Sequence, residues 1–228
     1  IRTISTPHLR NMGTIGGNLC LDTRCNYYDQ NYEWRKGINF CMKKDGTVCW
    51  VAPGSPRCLA VQSSDAVPVL CAMDALIVLK SVNGERTVRA EELYNNDGID
   101  YLRKKPDELI TGIRLPAVNG WKAAYRKLRR RGAFDFPVLG AAAWVKFGSG
   151  LAVQSARIFL GGVASAPLRC LEAEAELEGK TLSRKVIEAA AEKAYISAKP
   201  MDNTDYDRYW RKQMVRIWVR RALEDLRN

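Results

Sequence analysis

The stretch RNMGTIGGNL, residues 10–19, places a glycine pair between a threonine and an asparagine. Gly16 and Gly17 allow the backbone to approach a ligand closely, and successive amides in such a turn can form an anion-binding concavity. Thr14 and Asn18 could add side-chain hydrogen bonds. Because glycine pairs more often mark a plain turn, this stretch indicates a ligand site only together with the segments that follow it.

The next segment, residues 22–62, is predicted to be one long loop without regular structure. It carries Cys25, Cys41, Cys49 and Cys58 among aromatic residues, glycines, prolines and mixed charges, with no sustained periodicity. A loop of this length is uncommon inside a compact domain, so something other than an apolar core is expected to hold it. Clustered thiols in a protein without export signals read first as metal or cluster ligands.

The cysteine spacing is C-x15-C-x7-C-x8-C. Structural zinc sites usually contain at least one close C-x2–4-C pair, which this segment lacks. A [4Fe–4S] cluster takes four cysteine ligands and, being larger than one ion, accepts ligands from four directions. Spacing alone leaves three alternatives open, namely an iron–sulfur cluster, a zinc ion and no metal.

The other three cysteines are predicted to lie outside any such site. Cys71 lies in an apolar stretch and Cys170 opens a helix-like segment, so both are expected in the core, whereas Cys20 is ambiguous. The one histidine, His8, is expected to order the first turn. The first ten residues lack the apolar segment that is typical of a signal peptide, and reduced thiols favour the cytoplasm, so a cytoplasmic location is expected.

The chain is basic, with 36 Lys and Arg against 25 Asp and Glu and a net charge of +11. The run RKLRRRG (126–132) raises the possibility of nucleic-acid binding, but no stacking platform or nucleic-acid motif accompanies it. An acidic subunit, a phosphate-bearing cofactor or an acidic redox partner fits the charge equally well. No apolar run approaches the ~20 residues that a membrane span requires.

The hydrophobic period changes along the chain from strands to helices. Strands are predicted at 75–79 and 108–116, with a hairpin at Asn83-Gly84, and three more follow the boundary AVNG (117–120). Three helices follow, the second with Ser183 as its N-cap. In the last helix, the broad apolar face predicted to be core contains Tyr206, Trp210, Met214, Ile217, Val215, Trp218, Ala222 and Leu226.

These segments together resemble the FAD-binding subunits of the molybdenum hydroxylases, the xanthine dehydrogenase and CO dehydrogenase family. RNMGTIGGNL is similar to the second flavin-binding motif of that family. Further similar segments follow in the family's order: SSDAVPVL (63–70), DELITGIRLP (107–116), YRKLRRRGAFDFPVLGAAA (125–143) and ARIFLGGVASAPLR (156–169). The resemblance covers essentially the whole chain.

The resemblance implies an α/β (α+β) fold in two domains. Residues 1–117 are expected to form the second half of a two-subdomain FAD-binding domain, and residues 118–228 a three-stranded sheet with a three-helix bundle. The family's FAD domain begins well before the TIGGN motif, with a first glycine-rich loop. The FAD site is therefore expected to be incomplete in this chain, which would be a fragment or be paired with a separate N-terminal half.

The long connection after TIGGN narrows the resemblance, because most members reach the SD segment in far fewer residues. The branch with a cysteine-bearing insertion here is the β subunit of 4-hydroxybenzoyl-CoA reductase, which carries a [4Fe–4S] cluster besides FAD. The resemblance therefore implies that Cys25, Cys41, Cys49 and Cys58 bind a [4Fe–4S] cluster.

The implied function is electron transfer to a molybdenum-cofactor large subunit through a [2Fe–2S] small subunit, with ferredoxin as the donor. The substrate reaction, reductive dehydroxylation of 4-hydroxybenzoyl-CoA, would take place on the large subunit, so no catalytic residue is expected in this chain. Two alternatives stay open: the FAD subunit of another molybdenum hydroxylase, and a zinc-stapled interaction module.

The resemblance also implies flavin contacts. A single segment, Thr14, Ile15, Gly16, Gly17 and Asn18, would line the pyrophosphate and ribityl region of FAD. Asp65 would hydrogen-bond the flavin side of the site, although a plain helix N-cap is the competing interpretation. Ile110 would pack near the isoalloxazine ring. Lys127 would lie near its polar edge, with a one-residue slip to Arg126 as an alternative.

Overall fold

The computed structural model describes residues 1–227. Its strands form two antiparallel sheets, and its helices pack against them. The first part of the chain forms α1 (Pro7–Met12), α2 (Ile15–Leu19), α3 (Tyr32–Gly37), α4 (Ala66–Ala72), β1 (Leu76–Ser81), β2 (Gly84–Arg89), a 3₁₀ turn (Ala90–Leu93) and β3 (Leu109–Arg114). The second part forms β4 (Trp121–Leu128), β5 (Leu139–Phe147), β6 (Val153–Gly161), β7 (Leu168–Arg169), α5 (Leu171–Leu177), α6 (Arg184–Ser197) and α7 (Arg208–Asp225). The predicted mixed α/β fold is confirmed.

The first sheet has the strand order β2-β1-β3. Strands β1 and β2 form the predicted hairpin, in which Ser81 pairs with Gly84 across a two-residue turn at Val82 and Asn83. Gly84 has a φ of +131°, which a residue with a side chain rarely adopts. The Asn-Gly signal therefore located the turn correctly, with the glycine opening β2 rather than lying inside the turn.

The second sheet has the order β4-β5-β6-β7 and contains the three expected strands with the two-residue β7 in addition. Its central strand, β5, is buried on both faces. Ala142 and Trp144 pack with α4 and the first sheet, whereas Ala141 and Ala143 pack with the C-terminal helices. The three alanines allow helices to approach the sheet closely from both sides.

The two parts of the chain meet where α4 lies on β5 and β6. A Cβ added to Gly161 of β6 would come within 3.1 Å of the Pro68 ring, so glycine permits this close approach. Arg157 of β6 also donates hydrogen bonds to the carbonyl oxygens of Cys71 and Ala72 at the end of α4. The division into domains at residue 117 stays a prediction, because one continuous packing arrangement joins its two sides.

The C-terminal helices agree with the predicted pattern except at the start of α7. Ser183 is the N-cap of α6, as expected, and accepts a hydrogen bond from the amide of Val186. Tyr206 and Trp210, predicted to be core, are instead 43% and 39% exposed. Tyr206 precedes the helix, which begins at Arg208, and the inward-facing position of the first turn is taken by Arg211.

Arg211 is fully buried and contacts three backbone segments. Its guanidinium donates hydrogen bonds to the carbonyl oxygens of Val138 (3.1 Å), Met201 (2.8 Å) and Gly162, and to the side chain of Asn203. Burial lowers the pKa of this guanidinium to about 10. A planar group with five donors can satisfy several converging carbonyls at once.

Cys71 and Cys170 are both fully buried, which confirms the prediction that they are core thiols. Across residues 1–227, no helix combines the length and the apolar character that crossing a bilayer requires.

We expect Arg211→Met to lower the free energy of unfolding by more than about 3 kcal/mol, because three buried carbonyls would lose their donor. Arg208→Met, on the exposed side of the same helix turn, is the matched control and should change it by less than about 0.5 kcal/mol. Urea unfolding of the chain measures both, and equal small effects would contradict the role assigned to Arg211.

Candidate functional site

The glycine pair lies in a helix rather than in an extended turn, which corrects the sequence-based prediction. Thr14 is the N-cap of α2, and its hydroxyl oxygen accepts a hydrogen bond from the amide of Gly17 at 3.0 Å. Gly16 lies against Ile110 of β3, where an added Cβ would be in ordinary contact at 3.7 Å. The threonine hydroxyl is thus already used within the protein, and Gly16 brings α2 onto the first sheet.

Asn18 connects α2 to the segment that enters α4. Its side-chain amide oxygen accepts hydrogen bonds from the Ser64 hydroxyl (2.7 Å) and from the Ala66 amide (3.3 Å). The Ser64 amide in turn donates to the side-chain oxygen of Gln62 at 2.8 Å. The TIGGN and SSD segments, far apart in sequence, therefore form one hydrogen-bonded unit.

Asp65 and Lys127 form a buried ion pair between the two parts of the chain. The Lys127 ammonium donates to Asp65 at 2.8 Å, and the two side chains are 2% and 6% exposed respectively. The Tyr125 hydroxyl donates to the other carboxylate oxygen at 3.0 Å. Asp65 occupies the N-cap position of α4, as the competing interpretation predicted, but its side chain makes no capping hydrogen bond and forms the ion pair instead.

The environment shifts the pKa values of the groups around Asp65. Burial lowers the pKa of Lys127, and the hydrogen bond from Lys127 to Asp65 partly offsets this. Burial also raises the pKa of Tyr125 well above its ordinary value. Sequence reasoning missed Tyr125, although it lies two residues before Lys127 on the same face of β4, a spacing that would have indicated it.

Two open hollows lie on either side of Ile15 and together form a groove along α2. The first, about 800 Å³, is lined by Leu9, Thr14, Gly17 and Asn18 among others, and the second, about 930 Å³, reaches Asp65 and Tyr125. The second hollow is lined from the first sheet by Ile113 and Leu115. Ile110 packs against Gly16 and is partly buried at the edge of the core, and its position beside a flavin ring stays a prediction.

One buried polar atom near this groove has no partner. The side-chain nitrogen of Gln62 has no hydrogen-bond partner within residues 1–227, and the residue is only 1% exposed. Its neighbour Ser63 and the nearby Asp65 both line a third hollow adjoining the groove. An unsatisfied buried donor is costly, so this amide is suited to a bound polar group.

The four predicted cysteine ligands converge on one small cavity. Cys25, Cys41, Cys49 and Cys58 all line it, and each is between 4% and 6% exposed. Cys20, Cys71 and Cys170 are not among the residues that line this cavity. Chain positions up to 33 residues apart are therefore brought together in one place, as the spacing suggested.

The loop that carries these cysteines has more structure than predicted. Its ends are tied by two backbone hydrogen bonds between Arg24 and Val61, at 2.9 and 2.7 Å. It also contains the short helix α3, whose N-cap, Asn31, accepts a hydrogen bond from the Trp34 amide. The loop is thus closed at its base and ordered within.

Two backbone amides act on the sulfur atoms. The Ala60 amide donates to the Cys58 sulfur at 3.4 Å, and the Tyr27 amide donates to Cys25. Burial, and to a smaller extent the charges of the other three cysteines, raise the pKa of Cys25 to about 12. Such mutual repulsion between thiolates disappears when a positively charged metal centre binds them.

The structure does not decide which group, if any, the four cysteines hold. Within residues 1–227, no three His, Cys, Asp or Glu side chains are arranged to hold one metal ion. The [4Fe–4S] cluster at Cys25, Cys41, Cys49 and Cys58 therefore stays a prediction.

Gly98 lies directly against the cysteine cavity. A Cβ added at this residue would come within 2.7 Å of the Cys58 sulfur and 2.8 Å of the Ala60 amide. The Gly98 amide also donates to the Cys58 carbonyl oxygen at 2.9 Å. The connection between the 3₁₀ turn and β3 therefore forms one wall of the cavity. No sequence pattern predicted this contact.

Comparison with known protein families identifies the class to which the two packed parts of the chain belong. Residues 1–118 match the FAD-binding domain in molybdopterin dehydrogenase, and residues 123–226 match the CO dehydrogenase flavoprotein C-terminal domain. The chain belongs to this family of FAD-binding domains.

Individual relatives are similar over nearly the whole chain. The glyceraldehyde dehydrogenase medium chain of Sulfolobus acidocaldarius is 26% identical over 99% of this chain and 65% of its own length. The aldehyde oxidoreductase FAD-binding subunit PaoB of Escherichia coli is 32% identical over 76% of this chain and 56% of its own length. A solved carbon monoxide dehydrogenase from Hydrogenophaga pseudoflava superimposes with a TM-score of 0.73 at 28% identity, over 98% of this chain and 63% of that one.

We expect Asp65→Asn to lower the free energy of unfolding by about 3–5 kcal/mol, because it leaves the Lys127 ammonium buried without its counter-ion. The double variant Asp65→Asn, Lys127→Met should recover part of this loss. Asp29→Asn, which breaks the exposed pair with Arg24, is the control and should cost less than about 1 kcal/mol. Denaturant unfolding decides, and strictly additive losses in the double variant would exclude the coupling.

Gly98→Ala should displace Cys58 and destabilise the chain by about 1–3 kcal/mol, because the added methyl group meets backbone and sulfur atoms. Gly54→Ala in the cysteine loop is the control, since nothing lies within 4 Å of its added Cβ. Unfolding measurements and the alkylation rate of Cys58 test both variants. Indistinguishable results for the two would show that Gly98 is not a wall of the cavity.

Proposed function

We propose that this chain is the electron-transfer part of a molybdenum hydroxylase-type oxidoreductase, with the substrate reaction on another subunit. The observation that carries the proposal is the convergence of four buried cysteines on one cavity within a member of the FAD-binding family. The chain spans less than two thirds of the relatives named above. The activity, substrate and partners of the whole protein are therefore part of the proposal.

FAD would bind along α2, with the TIGGN segment beside its pyrophosphate and ribityl region. The groove supports this, as do the unpartnered Gln62 amide and the adjoining Asp65, Tyr125 and Lys127. In this arrangement Lys127 would orient Asp65, and Asp65 would fix the Tyr125 hydroxyl at the groove wall. When bound, FAD supplies a centre that stores and passes on electrons.

The four cysteines would hold a [4Fe–4S] cluster as thiolates, which supplies a one-electron centre. Hydrogen bonds to the sulfur atoms, such as those from the Ala60 and Tyr27 amides, are among the factors that set the potential of such a centre. Both ends of the loop lie near the groove in sequence, since Cys25 follows Asn18 by seven residues and Cys58 precedes Asp65 by seven. A structural zinc ion is the competing occupant.

The favoured reaction is the reductive dehydroxylation of 4-hydroxybenzoyl-CoA, a step of aromatic degradation, with electrons from ferredoxin. The cysteine-bearing insertion between Asn18 and Asp65 supports it. The second candidate is the FAD subunit of another molybdenum hydroxylase. The names of the relatives, which include carbon monoxide, aldehyde and nicotine-converting enzymes, support that alternative.

The partners in this proposal are a molybdenum-cofactor large subunit and a [2Fe–2S] small subunit, in line with relatives that are named medium chains. A cytoplasmic location is included, supported by seven cysteines of which none forms a disulfide among residues 1–227. Nucleic acid is not among the proposed partners.

Iron and sulfide analysis tests the proposed cluster. Anaerobically reconstituted chain should hold about four iron and four sulfide ions. Cys41→Ser should lose most of them, whereas Cys20→Ser, outside the cavity, should retain them. One zinc per chain and no sulfide in the unmodified chain would overturn the cluster. Assay of the complete enzyme with 4-hydroxybenzoyl-CoA, carbon monoxide and aldehydes then separates the two candidate reactions.

A further inference from the structure

Lys43 places a buried ammonium beside the cysteine cavity. Its side chain is only 6% exposed, and the residue is one of those that line the cavity. The ammonium donates three hydrogen bonds: to the Asp22 carboxylate (2.7 Å), the Thr23 hydroxyl (2.6 Å) and the Gly98 carbonyl oxygen (2.7 Å). All three donors are thus satisfied.

The partners of Lys43 lie on different segments around the cavity. Asp22 and Thr23 precede Cys25, the first of the four cavity cysteines, whereas Gly98 belongs to the wall that abuts Cys58. The Thr23 hydroxyl also donates to the Gly98 carbonyl oxygen, so the three groups form one compact cluster. A side chain from the middle of the loop therefore fastens the loop's entrance to the wall opposite it.

Aromatic rings enclose the same ammonium. The nitrogen lies 5.0 Å from the centre of the Tyr28 ring and 5.6 Å from that of Tyr101, within the range of cation–π attraction. The Tyr101 hydroxyl donates to the Cys20 carbonyl oxygen, directly after α2. Lys43 therefore also connects the cysteine loop to the end of the helix that lines the groove.

The positive charge is only partly compensated. The Asp22 side chain is 51% exposed, so water screens its charge, whereas the ammonium faces the protein interior. A cation in this position favours negative charge in the cavity.

We propose that Lys43 is a positioning residue that closes the cysteine cavity and supplies a fixed positive charge to the group bound there. The inference rests on the proposed cluster for its electrostatic half only, because the hydrogen bonds that close the loop belong to the protein itself. A fixed cation stabilises the more negative, reduced state of a bound redox group and so raises its reduction potential.

The electrostatic half is tested by Lys43→Met, which keeps the length of the side chain and removes the charge. Redox titration with dithionite should give a potential lower than that of the unmodified protein by about 59 mV, a tenfold change in the one-electron equilibrium constant. Lys43→Arg should restore most of the potential. Lys44→Met removes an equal charge at a side chain that is 53% exposed, and should leave the potential unchanged.

The structural half is tested in metal-free protein by amide hydrogen exchange. In Lys43→Met, the amides of Arg24, Val61 and Gly98, which close the loop, should exchange at least about tenfold faster. Amides of β5, remote from the loop, should keep their protection and so report that the variant folds. Lys44→Met should match the unmodified protein at every site.

Each outcome separates this inference from the proposed function. Faster exchange in Lys43→Met with no iron and sulfide in the unmodified chain would keep the closing role and overturn both the cluster and the charge role. A loaded unmodified chain with the same exchange and potential in Lys43→Met would overturn the inference and leave the proposed function intact. Equal potential shifts in Lys43→Met and Lys44→Met would reduce the charge role to a general surface effect and overturn it.

Discussion

The buried guanidinium of Arg211 is the interaction on which the arrangement of this protein depends. It binds the carbonyl oxygens of Val138 and Gly162, at one end of the second sheet, and those of the segment before α7. It also holds Asn203, whose side chain donates to the Leu59 carbonyl oxygen and whose own carbonyl oxygen accepts the Asn26 amide. Leu59 and Asn26 each follow a cavity cysteine directly, so the last helix fixes both ends of the cysteine loop.

A second buried charge, the ammonium of Lys127, joins distant segments of the chain beside the groove. Through Asp65 it joins β4 to the start of α4, and its hydrogen bond to the Thr3 carbonyl oxygen brings in the first residues of the chain. In both places a buried cation joins backbone segments that are distant in sequence. Hydrogen bonds from the two cations to carbonyl and carboxylate oxygens offset part of the cost of burying them.

Local signals predicted the elements of this fold well, and contacts between distant residues account for what they missed. The Asn83-Gly84 hairpin, the Ser183 cap and the two core cysteines depend on neighbouring residues or on side-chain type alone. The ion pair of Asp65 depends on a strand about sixty residues away, which an N-cap pattern cannot reveal. Arg211 takes the buried position in the first turn of α7 because it donates hydrogen bonds to carbonyl oxygens distant in sequence. Trp210 therefore lies at the surface.

The candidate sites divide along the same line. The four cysteines were recognisable because thiols in one loop have few other uses, and the TIGGN segment because glycine pairs are distinctive. Gly98 and Lys43 carry no such signal, since each acts through a partner that only the fold brings close, whereas the alternation of β4 would have indicated Tyr125 beside Lys127. Residues that line a cavity wall or that hold the site residues in place are therefore the part of a site that a single sequence does not specify.

The alanines of β5 have a consequence for the shape of the groove. Three of its side chains are methyl groups: Ala142 faces α4, whereas Ala141 and Ala143 face the C-terminal helices. At these positions a larger side chain would have to displace the helix that packs there. A change from alanine to valine at residue 142 would therefore shift α4 and alter the width of a ligand groove that the substituted residue does not line.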